Sequence, residues 1–197
     1  MQTYSHLLMT AFAGDRLKKH AVPVSNKALL LGSVLPDLAL FALTAWFIIY
    51  YRFMAPQGLP DDSVFGTLYD EYFFRNPVWI VGHNFFHAPL ILAALGVVGY
   101  LAARQGRRWG WPLLWLMVGC GLHTLVDIFT HRNDGPLLLF PFDWQTRFAA
   151  PISYWDVRYG ARIVAPLEHA MDLAIIAYLI WAWVKTRRTR PHVVSSS

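Results

Sequence analysis

Histidine and aspartate side chains recur at regular spacing inside the apolar stretches of this 197-residue chain. His83 and His87 form one i,i+4 pair, and His123 and Asp127 form another. Residues four positions apart project from one face of an α-helix, so each pair could direct two ligands at one metal ion. Asp37 follows a proline that interrupts a third stretch, and one more histidine lies near the start of the chain. The predicted metal ligands are His6, Asp37, His83, His87, His123 and Asp127.

The chemistry of these ligands favours a divalent transition metal. Imidazole together with carboxylate suits Zn²⁺, with Mn²⁺ or Fe²⁺ as alternatives. Such an ion lowers the pKa of bound water toward about 7 and polarises a scissile oxygen, which would suit hydrolysis. Structural interpretations stand beside this one. An intramembrane histidine commonly makes an interhelical hydrogen bond, and Asp37 could cap the helix that begins after Pro36.

Further polar groups extend the candidate site. His131 and Asp134 follow the third apolar stretch, where the sequence favours either a turn or a contact with substrate. A carboxylate that binds no metal, Asp37 or Asp134, would act as the general base. His131 or Arg132 would steady an anionic leaving group. The last apolar stretch adds three groups that are either ligands or supports for ligands, namely Glu168, His169 and Asp172.

The composition places these residues in a membrane. Hydrophobic residues make up 56% of the chain and charged residues 15%, whereas a typical soluble domain is about 25% charged. This balance excludes a disordered chain and argues against an ordinary cytosolic enzyme. The single cysteine, Cys120, excludes an internal disulfide framework and a multi-cysteine metal site.

Four stretches are long and apolar enough to cross a bilayer, which takes about 20 residues. They are Ala28–Met54, Val78–Ala103, Trp111–Thr130 and Ile163–Val184. A weaker fifth candidate, Thr3–Lys19, is shorter and only half apolar. The sequence therefore predicts an all-α bundle of four to five spanning helices. Residues 1–185 would form a single domain and residues 186–197 a polar, disordered tail.

Positive charges predict how the bundle is oriented. Lysine and arginine cluster near residues 18–27, 104–108 and 185–190, and the positive-inside rule places all three clusters in the cytoplasm. The segments Arg52–Pro77 and His131–Arg162 then lie outside, and the second is predicted to be an irregular interfacial cap. The net charge of +5 is thus a sign of membrane topology, and no nucleic-acid partner is predicted.

Helical geometry brings the polar groups to a similar depth. Asp37 lies roughly 16 Å and Asp127 roughly 24 Å above the cytoplasmic ends of their stretches, at 1.5 Å per residue. His87 lies roughly 14 Å below the outer end of its own stretch. In a hydrocarbon core about 30 Å thick, these positions converge on one layer between the midplane and the outer third.

The ordered motifs resemble a family of bacterial inner-membrane proteins described as membrane-bound metal-dependent hydrolases. The resemblance covers roughly residues 3–145 and rests on YSHLLMTAFAG, GSVLPDLAL, GHNFFHAPL, LHTLVDIFTH and DGPLLLFPF. The chain departs from the family pattern at Ala39, Asn84 and Ala88, which replace a carboxylate, an arginine and a serine. The missing carboxylate implies fewer metals, or a role moved to Asp134, Asp172 or Glu168. A weaker likeness to helical zinc-dependent phospholipases suggests phosphoester chemistry.

The residues and the resemblance together predict a multi-pass protein of the bacterial inner (cytoplasmic) membrane. We expect it to use a divalent metal to hydrolyse a lipid-linked or membrane-accessible ester or phosphoester, with membrane lipids as its surroundings. A small transporter or metal permease is the main alternative, because a proline-broken helix with buried His and Asp suits that function as well. The sequence shows no inverted repeat to support it. A non-catalytic membrane scaffold is the third interpretation.

Overall fold

A computed structural model describes residues 1–20, 23–59 and 63–188. The fold is all-α, as predicted, with about 70% of the chain helical and no strand in the described residues. The helices are α1 (Thr3–Lys19), α2 (Asn26–Gly32), α3 (Leu35–Ile49), α4 (Thr67–Arg75), α5 (Pro77–Asn84), α6 (Pro89–Arg104), α7 (Gly110–Thr130) and α8 (Ala161–Arg188). A π-helical extension continues α3 to Met54.

Length and hydropathy identify three helices that could each cross a membrane in the described part of the chain, and a bent pair that could form a fourth span. The three are Leu35–Met54, Gly110–Thr130 and Ala161–Arg188, and the pair is α5 with α6. The predicted third and fourth spans therefore agree with the structure to within a few residues. α8 also includes residues 186–188, which the sequence assigned to the tail, and residues 189–197 lie outside the described residues. α1 has the predicted bounds but does not qualify as a span.

The first predicted span is two helices. α2 ends at Gly32 and α3 begins at Leu35, with Pro36 in its first turn. Proline is well tolerated there because the first backbone N–H groups of a helix have no intrahelical partner. Asp37 also lies in this first turn, but its side chain does not cap α3. The capping interpretation of Asp37 is therefore wrong.

The second predicted span is broken as well. α5 and α6 meet at an angle of 49° around residues 85–88. Pro89 begins α6, and its missing N–H and bulky ring prevent α5 from continuing through it. His83 lies in α5, whereas His87 lies in the break. The prediction that both project from one face of a continuous helix is therefore wrong.

Two glycines allow α2 and α7 to approach very closely. A Cβ atom on Gly119 would collide with the carbonyl oxygen of Leu29, and one on Gly32 would collide with that of Leu116. Backbone contact of this kind is typical of small residues at helix crossings in membranes. The crossing brings the end of α2, and so Ser33, against the middle of α7.

The segment between α7 and α8 is largely irregular, as predicted. It contains an isolated bridge between Leu137 and Arg147 and one turn of 3₁₀ helix at Val157–Tyr159. Asn84 fixes it to α5, because the Asn84 Oδ1 accepts a hydrogen bond of 2.9 Å from the backbone N–H of Leu137. Nearby, the unpredicted helix α4 packs on α3 and α5 through an aromatic cluster of Phe47, Phe73 and Trp79.

Candidate metal centre

Four side chains converge at the centre of the bundle. Within the described residues, one group of His, Cys, Asp and Glu could hold a metal ion, with its ligand atoms all within 4.8 Å of one another. It consists of Asp37, His87, His123 and Asp127. The two histidines and Asp127 are buried, and Asp37 is partly exposed. The four side chains that the sequence places at similar depths thus lie next to one another in the fold.

The orientation of the two imidazoles suits a cation. His87 Nδ1 lies 2.6 Å from the carbonyl oxygen of His83, and His123 Nδ1 lies 2.8 Å from that of Ser33. A carbonyl oxygen can only accept, so both Nδ1 atoms carry a proton and donate it. In a neutral ring of this tautomer, the Nε2 atom carries a lone pair. These two Nε2 atoms are 3.2 Å apart, a contact that needs either an added proton or a bound cation between them.

The carboxylates complete a compact set of acceptor atoms. Asp127 Oδ2 lies 3.0 Å from His123 Nε2 and 3.6 Å from His87 Nε2. Asp37 Oδ1 lies 3.5 Å and 3.9 Å from the same two nitrogens. Four atoms bound tetrahedrally at about 2.0–2.1 Å from Zn²⁺ would lie about 3.3–3.4 Å from one another. The donor types and spacing therefore fit one first-row divalent ion.

Local breaks in the helices place these ligands. Asp37 lies in the first turn of α3, just after the α2–α3 break, and His87 lies in the break between α5 and α6. His123 and Asp127 project from one face of the uninterrupted α7, as their spacing predicts. The Gly32–Gly119 crossing brings the Ser33 carbonyl within reach of His123. The backbone of α2 thereby fixes the tautomer of a ligand on α7.

His6, which the sequence predicts as a ligand, lies beside the group of four and does not belong to it. Its ring stacks on that of His123 with centroids 3.7 Å apart. Its Nε2 lies 3.0 Å from Asp127 Oδ1, the carboxylate oxygen that faces away from the four-atom group. The Met1 amino group approaches the same oxygen at 3.2 Å. These contacts orient the Asp127 carboxylate.

His83 also lies outside the group of four, although it belongs to the HxxxH motif. Its ring is 4.5 Å from the His87 ring and 5.0 Å from the Phe73 ring, centroid to centroid. The residue is only 7% exposed. Neither ring nitrogen has a hydrogen-bond partner among the described residues.

A cavity of about 880 Å³ leads to the centre. Three of the four grouped residues line it, namely Asp37, His87 and Asp127. Its lining also includes Phe41 and Phe65, which are 56% and 70% exposed. The cavity therefore borders both the candidate ligands and exposed apolar side chains.

The predicted catalytic residues outside the group line the same cavity. His131 Nδ1 lies 3.4 Å from Asp127 Oδ1, and burial lowers the pKa of His131 below its ordinary value. Asp134 accepts a hydrogen bond of 3.0 Å from Trp155 Nε1. Arg132 donates to the Ala150 carbonyl at 2.8 Å. The structure thus places these three side chains beside the cavity, while Asp37 is both a predicted base and a member of the group of four.

The polar groups of α8 contact α1 instead of the candidate ligands. The Ser5 hydroxyl lies 2.7 Å from Glu168 Oε1 and 2.8 Å from Asp172 Oδ2. The backbone N–H of Gln2 donates to the same Glu168 oxygen at 2.7 Å. His169 is exposed and lies against Tyr4. Glu168 and Asp172 therefore hold the first turn of α1, and with it His6, in place.

Three supporting groups were not predicted from the sequence. Thr3 donates to Asp37 Oδ2 at 2.5 Å, the Ser33 carbonyl accepts from His123, and Asn84 anchors the segment beside the cavity. Serine, threonine and asparagine near a candidate ligand carry no distinctive spacing. Asn84 was recognisable only as a departure from the family motif.

A comparison with known families agrees with this architecture. The model of the YdjM inner membrane protein family matches residues 1–189. The chain therefore belongs to this family and is a multi-pass protein of the inner membrane. No protein of curated function and no solved structure matches the chain significantly.

Proposed function

For this member of an inner-membrane family, we propose a metal-dependent hydrolase that cleaves an ester or phosphoester of a lipid-linked or membrane-accessible substrate. The observation that carries the proposal is the convergence of two Nε2 lone pairs and two carboxylates at the end of a large cavity. With both rings neutral, four acceptor atoms would face one another without a donor, which is costly in a buried site, and a bound cation removes that cost.

In this proposal Asp37, His87, His123 and Asp127 hold one divalent ion, with Zn²⁺ favoured by the donor set and Mn²⁺ or Fe²⁺ as alternatives. Two carboxylates balance the charge of the ion, which suits a buried site. The bound ion supplies Lewis acidity and makes water a stronger nucleophile. The chain itself holds both imidazoles in the ligating tautomer through the His83 and Ser33 carbonyls.

The remaining cavity residues supply the other roles. If Asp37 binds the ion, the general base is Asp134 or His131, both of which line the cavity. Hydrolysis adds water across the scissile bond, and the departing oxygen takes up the proton that the base removed. Arg132, also in the wall, steadies the negative charge on that oxygen.

The shape of the cavity supports an amphiphilic substrate. Its volume falls within the range of about 300–1,000 Å³ that is typical of small-molecule sites. The scissile group would lie at the candidate ligands, while an apolar chain would lie against Leu40, Phe41 and Phe65. Because Phe41 and Phe65 are largely exposed, we propose that such a chain enters sideways from the lipid.

Metal content and hydrolysis, measured on the same detergent-purified protein, test the proposal. We expect about one ion per chain, and metal-dependent release of product from p-nitrophenyl palmitate or from phosphatidic acid in mixed micelles. His87→Gln and Asp127→Asn should abolish both metal binding and hydrolysis, whereas His169→Gln should behave as the parent. Wild-type protein without stoichiometric metal would refute the proposal. Metal uptake into proteoliposomes without hydrolysis would favour the permease.

A further inference from the structure

We infer that His83 binds the substrate, at a phosphoryl oxygen, and does not bind the metal. The inference rests on the proposed hydrolase site and narrows its substrate class to phosphoesters. His83 lines the cavity beside His87, one helical turn earlier in the sequence. It is thus next to the candidate ligands and can reach a group that lies at the ion.

The first support is the absence of a partner for His83 in the described residues. Both ring nitrogens are buried without a hydrogen bond. A neutral imidazole always carries one N–H, and a buried N–H without an acceptor is costly. His87, by contrast, has its Nδ1 bonded to a carbonyl and its Nε2 directed at the other ligands. No hydrogen bond holds the His83 ring, so a small rotation toward the cavity breaks none.

The second support is the position of His83 relative to the group of four. The Nε2 atom of His87 and the Nε2 atom of His123 already face both carboxylates. The nitrogens of His83 do not belong to this set. A catalytic Zn²⁺ site uses three protein ligands and keeps a position for water, so the group of four needs no fifth ligand. The imidazole is therefore available for the substrate.

The third support is the positive charge of Arg147, which lies near Phe73, a neighbour of His83. The Phe73 ring lies 5.0 Å from the His83 ring and 5.7 Å from the guanidinium carbon of Arg147. Arg147 also donates a hydrogen bond to the Gly135 carbonyl. Burial lowers the pKa of Arg147 to about 10, so the guanidinium remains charged at neutral pH. A His83 N–H donor with a cation nearby favours an anionic oxygen over a neutral ester carbonyl.

Inorganic phosphate and Mn²⁺ provide the test. We would load the purified protein with Mn²⁺ and follow broadening of the ³¹P resonance of phosphate, which reports binding beside the ion. His83→Phe keeps a ring between Phe73 and His87 but removes both nitrogens. We expect unchanged Mn²⁺ content, an equal or higher Tm because two unpartnered polar atoms are gone, and phosphate affinity at least about tenfold weaker. His169→Phe, the same change at an exposed site, should match the parent.

The outcomes separate this inference from the proposed function. Loss of Mn²⁺ from His83→Phe would make His83 a ligand and overturn the inference, and so would unchanged phosphate affinity. If the larger ring prevents folding, His83→Leu gives the same comparison. Wild-type protein that binds Mn²⁺ but not phosphate would overturn the inference and leave the hydrolase proposal standing. Wild-type protein that binds neither would overturn both.

Discussion

Replacing Glu168 with glutamine should stabilise the protein. Glu168 and Asp172 are each only 5% exposed, and both face the hydroxyl of Ser5. That hydroxyl has a single proton and can donate to one carboxylate at a time. The one basic group within 4 Å of either carboxylate in the described part of the chain is the exposed His169, 3.8 Å from Asp172 Oδ2.

The structure sets the size of the effect. The two oxygens that face Ser5 can be no farther apart than the sum of their distances to its Oγ, which is 5.5 Å. Two unit charges at that separation repel by about 3 kcal/mol at an effective dielectric constant of about 20. Glutamine removes one charge and keeps an oxygen that accepts from Ser5 and Gln2. For a chain of this length, about 3 kcal/mol corresponds to a shift of about 6–12 °C in Tm.

Thermal unfolding in detergent measures this prediction, with metal content followed in parallel. Glu168→Gln should raise Tm without changing metal content, and Asp172→Asn should act in the same direction. Ser5→Ala should cost about 1–3 kcal/mol, because it removes the hydroxyl donor that lies between the two buried carboxylates. A clear fall in Tm for Glu168→Gln would show that its charge is compensated, and the reasoning would be wrong.

Three further predictions concern the metal and the topology. Removing the metal with a chelator should lower Tm. Adding Zn²⁺ or Mn²⁺ at about 100 times its Kd should restore about 2.7 kcal/mol of unfolding free energy, and an unchanged Tm after verified removal would contradict this. His87→Gln and Asp127→Asn should reach the membrane but retain less than about a tenth of the parent metal, while the control Cys120→Ala retains all of it. Full metal occupancy in His87→Gln or in Asp127→Asn would exclude the replaced residue as a ligand. Reporter fusions at Gln105 and Ser195 should both report the cytoplasm, and a periplasmic signal at either would refute the orientation.

The sequence predicts the long helices well and the broken ones poorly. α7 and α8 are long, mainly apolar segments, so their approximate bounds follow from composition alone. The same method joined α5 to α6, because residues 78–103 are mainly apolar as well. Hydropathy does not register the loss of one N–H at Pro89, which is the physical reason for the break. The amphipathic helix α4 was not predicted, because its aromatic residues resemble those of an interfacial segment.

The candidate site shows a similar division. Spacing on one helix correctly placed His123 with Asp127, because that geometry is local. The positions of His6 and His83 depend on how α1 and α5 pack against their neighbours, which no spacing encodes. Both side chains point toward the correct region, yet they fall just outside the group of four. His6 and His83 lie only a few ångströms from the candidate ligands, and tertiary packing determines which histidines belong to the group.

The polarity of α1 has a consequence for how the protein is assembled in the membrane. α1 precedes the other described helices in the chain, but it is too short and too polar to enter a bilayer readily on its own. The partners of its first turns lie on α3, α7 and α8, which emerge later from the ribosome. We expect α1 to remain at the membrane surface until α8 has inserted, and then to pack against the other helices. Acidic residues on α3, α7 and α8 would then bind the first turns of α1.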